Sequence, residues 1–548
     1  MIGLNKIGLN QVQLNRLHLN APFPAYGKMA GGGGSGDGFP QLPGDVTRWH
    51  FGGLTNEMMA AMDDPRIEDA DHKGRFLSFK NFAWKGMSGV GGYGDENYQT
   101  FYKFTLDDYV FIASPPGVKH MNFTFRVTGL QPGNKLTLAF FGTTNTVYGT
   151  WDKDGIYTVD ADIVEAGKPT YFYNGYGATR GEFTIEILPL YPGALVFDGV
   201  DDYGVCENFP ILTKEKGYTV VALRQWIEEK NDSTALVSNC KNWGQDGAFL
   251  FEYNNLRINF LNVAISFGHV SSVDRGKSPF SYQTSKLYNG KNIEPGSFIG
   301  SNELVVGKGN KDFPTVSKVA IWELIILDHD ATEEELTKIK NYFVKTYPWL
   351  FFDQAWTVTG KTNEDEDRAT IANITGNGND LVLSNFGFAE GSGYNEQGEY
   401  AGYLVTDGVD DMITSSAFQM GKDFTIVGDW KFIDNKKSGT GLVKGSSFYI
   451  YNTMIGLDLY INSGSVKNSL GGIKSINAAC SDGRVYDPNW DEILANTGNV
   501  VGSGGMLEVS SNGRFDRIAF KNLAIYPRIL SKDDCIKAYN YLQTLKAK

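Results

Sequence analysis

Cysteine is scarce in this chain. Cys206, Cys240, Cys480 and Cys535 are the only four in 548 residues, and none shows CxxC spacing. That excludes a disulfide framework and a Cys-rich zinc site, and it predicts buried thiols. Histidine is equally sparse: His18, His50, His72, His120, His269 and His329 are dispersed, none beside a Ser or Cys motif, so no nucleophilic triad is expected. No apolar run approaches the ~18 residues of a membrane span, so no membrane insertion is expected. The N-terminus lacks the charged start, apolar core and small-residue cleavage site of a secretory signal, which predicts synthesis and folding in a cytoplasm. The net charge of −13 comes without any Lys/Arg cluster, which excludes a nucleic-acid partner.

What the chain does hold is glycine, 65 residues, with 13% aromatics and 41% hydrophobic residues overall. Many short Val/Ile/Tyr/Phe runs between turn signals predict all-β domains, and the length predicts about three or four of them. The first residues, MIGLNKIGLNQVQLNRLHLN, repeat every five. Leu4, Leu9, Leu14 and Leu19 each precede an Asn, and Ile2, Ile7, Val12 and Leu17 stand two positions before each Leu. That period fits neither a helix nor a simple two-faced strand. One copy cannot bury these eight side chains, so residues 1–30 are expected to pair with copies of themselves or to lie in a partner's groove. Residues 31–44 are a Gly-rich linker.

The rest of the chain says one thing twice. LVFDGVDDY from Leu195 returns as LVTDGVDDM from Leu404, and Val319 to Phe343 aligns without a gap on Ile518 to Leu542. A connector precedes each module, 45–94 and 351–399. Trp49 to Glu57 matches Trp356 to Glu364, followed in each by an Asn-Phe-small-aromatic unit, Asn81 to Trp84 and Asn385 to Phe388. Only the first copy carries an insert, 95–190, whose alternating strands predict a small β-sandwich. Each module closes on a strand and a helix. Thr332 with Glu335 and Ser531 with Asp534 have capping-box spacing. Leu336, Ile339 and Phe343, or Ile536, Tyr539 and Leu542, give each helix one docking stripe.

The stretches FDGVDDY, VAIWELIIL and ATEEELTKIKNYF, the last returning as LSKDDCIKAYNYL, resemble the laminin-G-like, concanavalin-A-like lectin and glucanase superfamily. The resemblance implies an all-β fold: two concanavalin-A-like jelly-roll sandwiches at 191–350 and 400–548, beside the smaller sandwich and the extended N-terminal segment. The leading IGLN repeat and the connector GKTNEDEDRATIANITGNGNDLVLSNFGF also resemble virion proteins of tailed bacteriophages of gut Bacteroidales, the crAss-like group included. This implies a virion structural protein, a head fibre, decoration protein or tail fibre, displaying lectin-like domains for attachment to host or gut glycans. Its implied partners are other virion proteins through the N-terminal repeat, further copies of itself with a trimer favoured, and a glycan ligand. A cell-surface polysaccharide-binding protein is the alternative, weakened by the missing signal sequence, with a glycoside hydrolase third.

Glucanases of the superfamily carry Glu-x-Asp-x-x-Glu on one strand. The nearest match, Asp160-Ala161-Asp162-Ile163-Val164-Glu165, departs at its first position and lies in the insert, so no enzyme is expected. No cofactor is expected either. Calcium is a minor alternative, with Asp198, Asp201 and Asp202 and their repeats Asp407, Asp410 and Asp411 as candidate ligands, although an Asp-Gly turn requires Asp for backbone reasons alone. Sugar binding would use exposed aromatics, which the sequence does not separate from core ones.

Overall fold

The computed structural model describes residues 38–93, 103–106, 109–113, 120–130, 132–140, 146–162, 170–174, 183–228, 234–241, 247–253, 278–293, 300–376, 378–433, 441–445, 448–453, 456–461, 466–469, 475–494, 503–509 and 517–547. The N-terminal repeat, with Ile2, Leu4, Ile7, Leu9, Val12, Leu14, Leu17 and Leu19, lies outside the described residues, as does the first half of the linker, 31–37.

The apolar run VAIWELIIL is explained by its position. The strand Lys318–Leu327 lies inside an eight-stranded antiparallel sheet and is buried on both faces. Val319, Ile321, Leu324 and Ile326 point into the sandwich, against Trp49, Phe79, Phe197 and Val306. Ala320, Trp322, Ile325 and Leu327 point the other way, toward the closing helix Glu333–Thr346. A strand covered on two sides needs no polar alternation. Opposite it, a six-stranded sheet built around Tyr203–Cys206 and Leu304–Val306 completes the first sandwich. The second sandwich repeats the plan: Ile518–Tyr526 sits in an eight-stranded sheet facing a nine-stranded one.

The connectors prove inseparable from the modules. Val46–His50 pairs with the strand Lys318–Leu327, and Phe76–Lys80 pairs with Tyr203–Cys206, so one connector supplies strands to both sheets. Gln354–Thr357 and Leu381–Ser384 do the same in the second copy. Trp49 opposite Leu324 and Trp356 opposite Leu523 occupy one register position. Each structural sandwich therefore begins at its connector rather than at residue 191 or 400. The insert folds between the connector and the module as two four-stranded sheets around Phe125, Leu136, Leu138, Tyr157, Phe172 and Ile185.

Both helix starts are capped as their spacing predicts. Thr332 accepts from the Glu335 N–H at 3.3 Å while Glu335 accepts from the Thr332 N–H at 2.8 Å, a complete capping box. Ser531 accepts from the Asp534 N–H at 3.1 Å. The helices do more than cover their own sheets, because one apolar cluster runs from Val46 through both helices to Leu545. Trp322 of the first sandwich meets Tyr541 of the second helix edge-on, with ring centroids 6.0 Å apart. Tyr526 donates to the Trp349 carbonyl at 3.0 Å, and Arg528 to the Val344 carbonyl at 3.0 Å. The two sandwiches thus share a core at their helices. All four cysteines are buried and free.

Candidate functional site

The most heavily duplicated chemistry surrounds the Asp-Gly turns. The Asp198 carboxylate accepts from the Val200 N–H at 2.7 Å, and that of Asp202 accepts from the Asp198 N–H at 3.1 Å. Ser88 of the connector donates to Asp202 at 3.0 Å while accepting from the Ala83 N–H at 2.7 Å, and Asn81 donates to the Asp201 carbonyl at 3.1 Å. The second copy repeats each bond with Asp407, Asp411, Ser392, Gly387, Asn385 and Asp410. A two-way amide pair completes each latch, Asn56 with the backbone of Val90 and Asn363 with that of Tyr394. A Cβ on Gly89 or Gly393 would collide with that asparagine oxygen, which fixes glycine at both positions.

The turns do bring the candidate calcium ligands together. The carboxylate oxygens of Asp198, Asp201 and Asp202 lie within 4.8 Å of one another, as do those of Asp407, Asp410 and Asp411. Two of the three in each copy accept from N–H or O–H donors, which accounts for them as turn caps and as the seat of the connector. A calcium ion calls for about six to eight converging oxygens. The groups aimed at these carboxylates are hydrogen-bond donors, the wrong partners for a cation cage.

Burial, with Asp198 close by, pushes the Asp202 carboxyl from 3.8 up to about 8, and burial pushes Asp411 up to about 6. In the folded chain Asp202 therefore holds its proton at pH values where the unfolded chain has lost it. Its contribution is fully present below the unfolded value of 3.8 and is lost as pH rises toward about 8. Asp202→Asn is expected to flatten that fall, measured as urea unfolding at about pH 5 and about pH 8. An unchanged slope would show that another group carries it.

Beside the second latch lies an open groove of about 710 Å³, lined by Asn363, Glu364, Phe388, Glu390, Glu396 and Gln397 among others. Its size falls in the ~300–1,000 Å³ range of small-ligand sites. Phe388 is half-buried at its base, with Phe386 (centroid 6.0 Å away) and Tyr394 (6.4 Å, 27° between planes) beside it. The Arg368 guanidinium lies 5.1 Å from the Phe388 centroid, and its backbone carbonyl accepts from the Tyr394 hydroxyl at 2.7 Å. The ring is therefore held in place before any ligand arrives. Exposed Glu364, Glu390, Glu396 and Gln397 add carboxylate and amide groups around it.

The first copy follows the same path and ends differently. Trp84 stands where Phe388 does, at a left-handed φ of 52° against 49°, yet it is only 7% exposed and is stacked on Phe82 at 4.9 Å. After Tyr93 the chain enters the insert, whereas after Tyr394 it makes the short 3-10 turn Gly398–Tyr400 whose start forms the groove's rim. Strand Gly155–Asp162 of the insert lies against that turn, and Lys153 pairs with Asp491 nearby.

The remaining sequence candidates do not converge on the groove. Asp160 and Asp162 lie on Gly155–Asp162, an edge strand of the insert, and Glu165 lies outside the described residues. His50 bonds the fully buried Glu323 at 2.7 Å, and His329 bonds Glu335 at 3.1 Å. Both histidines serve packing of the first helix.

No family model and no curated protein matches the chain. Among solved structures it is similar to a Trypanosoma rangeli sialidase in complex with sialic acid, at 8% identity over 85% of this chain and 91% of that one, with a TM-score of 0.23. It is also similar to the binding domain of botulinum neurotoxin serotype D, at 10% identity over 64% of this chain and 87% of that one, with a TM-score of 0.22. Scores this low carry no argument about ligand or activity, and the all-β, multidomain fold rests on the sheets themselves.

Proposed function

We propose that this chain is a non-enzymatic virion structural protein, a head fibre, decoration protein or tail fibre, that attaches to host or gut glycans. The groove at Phe388 carries the glycan part of this reading. A pyranose face stacks on an aromatic ring held rigid beforehand, while hydroxyls bond to amides and carboxylates at its edge. The virion part rests on the resemblance of the leading repeat and connector to phage particle proteins. In this role residues 1–30 join the chain to copies of itself, in trimers, and to other virion proteins. A cell-surface polysaccharide-binding protein would use the same groove.

The groove belongs to the second copy, and in the first Trp84, at the place of Phe388, is buried against Phe82. Each chain therefore offers one glycan site, and avidity comes from the oligomer rather than from the duplication. Titration calorimetry with an oligosaccharide selected on a glycan array is expected to give about one site per chain. Two equivalent sites, or array binding retained when 351–399 carries substitutions at Phe388 and Gln397, would overturn this assignment. Incubation with the same oligosaccharide is expected to release no reducing ends, and release that Glu390→Gln abolishes would make the protein a hydrolase.

A further inference from the structure

We infer that the groove selects neutral or amino-bearing glycans and turns away acidic ones, those built on uronic acids, sialic acids or phosphorylated sugars. This deepens the glycan reading above and rests on it. Three exposed carboxylates, Glu364, Glu390 and Glu396, line one open groove around Phe388. Among the described residues none of the three joins an ion pair, and neither of the two nearby cations pairs with them. Lys361 pairs with Asp367 at 2.6 Å, and Arg368 is packed against the Phe388 ring and donates to the Asp365 carbonyl at 3.4 Å. Three negative groups thus face one guanidinium, in a chain whose net charge is already −13.

A carboxylate on the incoming sugar would come among three like charges with only the Arg368 guanidinium, packed against the Phe388 ring, to offset them. A net excess of like charge in one groove opposes binding even in water-exposed sites. A neutral hydroxyl meets the same carboxylates as a donor, and a charged hydrogen bond is the stronger kind. An ammonium on an amino sugar gains further. The groove therefore separates ligands by charge before it separates them by shape. Because the groove is open to solvent, salt weakens this discrimination over a screening length of ~10 Å at 0.1 M.

The test uses the full chain on an array carrying matched pairs of oligosaccharides, a neutral hexose chain and the same chain bearing uronic acids, with sialylated and amino-sugar members beside them. The acidic member of each pair is expected to bind about tenfold more weakly at low salt, with the gap closing as salt rises. The E364Q/E390Q/E396Q variant keeps the side-chain shape and removes the charge. Its acidic-to-neutral binding ratio is expected to rise about tenfold, with an unfolding midpoint unchanged because all three side chains are exposed. Equal binding of acidic and neutral members by the unaltered chain, or a ratio the triple variant leaves unmoved, overturns the inference while the glycan reading stands. Binding of neither class overturns the glycan reading itself, and this inference with it.

Discussion

Phe388→Ala is expected to leave a folded chain without the glycan affinity proposed for the groove. Truncating a central aromatic anchor costs about 2 kcal/mol or more, which is a loss of about thirtyfold or greater in affinity. The side chain is half-buried in the free protein, so little stability goes with it. Its neighbours supply the contrast. Phe386 is 9% exposed within the second sandwich's core, and Phe386→Ala is expected to cost about 3 kcal/mol of stability. Trp84→Ala, at the matching place in the first copy, is expected to destabilise that sandwich and leave glycan affinity untouched. Equal affinity in the Phe388→Ala variant and the unaltered chain would show that glycan binds elsewhere than this groove.

Arg224→Met is expected to cost about 3–5 kcal/mol of unfolding free energy, because it strands a buried carboxylate. Glu252 is fully buried and accepts from Arg224 Nε at 2.9 Å and Nη2 at 2.6 Å, from Trp226 Nε1 at 2.6 Å, from Ser281 at 2.5 Å and from Tyr288 at 3.2 Å. Burial alone would raise its carboxyl. The Arg224 guanidinium, with the Ser281 and Trp226 bonds, holds it below the ordinary value instead. The second sandwich shows that the fold does not require this pair. Trp430 takes the position of Arg224, each just past a bulge against the long central strand. Combining Arg224→Met with Glu252→Leu is therefore expected to recover only part of the loss, because Trp226, Ser281 and Tyr288 then lose their shared acceptor. Chemical unfolding of the single and double variants measures it. A single variant within about 1 kcal/mol of the unaltered chain would mean that Glu252 finds solvent or another partner.

Strand and helix placement in the modules was legible in the sequence wherever the duplication enforced a pattern. The closing strands, the capped helix starts at Thr332 and Ser531, and the small sandwich follow from local signals. The connectors' role was not legible, since Val46–His50 pairs with a strand far along the chain and no local periodicity encodes that partner. Nor was the second task of the helices, because Tyr541 reads as one more apolar residue until Trp322 of the other sandwich meets it. The duplicated Asn, Ser and Asp positions mark the latch that seats each connector. Phe386 and Phe388 stand two apart and would share a face in a regular strand. The left-handed backbone at Phe388 brings its ring to the groove while Phe386 stays in the core. Backbone sign alone does not decide exposure, since Trp84 shares the left-handed φ and is buried against Phe82, and side-chain pattern carries no record of either outcome.

One glycan is proposed to bind each chain, against Phe388. This binding is tested most directly by a crystal structure of the chain soaked with the oligosaccharide that binds best on the array. A sugar ring stacked on Phe388 is expected, with hydroxyls reaching Gln397 and the groove glutamates. A sugar seated at the Asp198 or Asp407 turns, or on the insert, with the Phe388 groove empty, would contradict it.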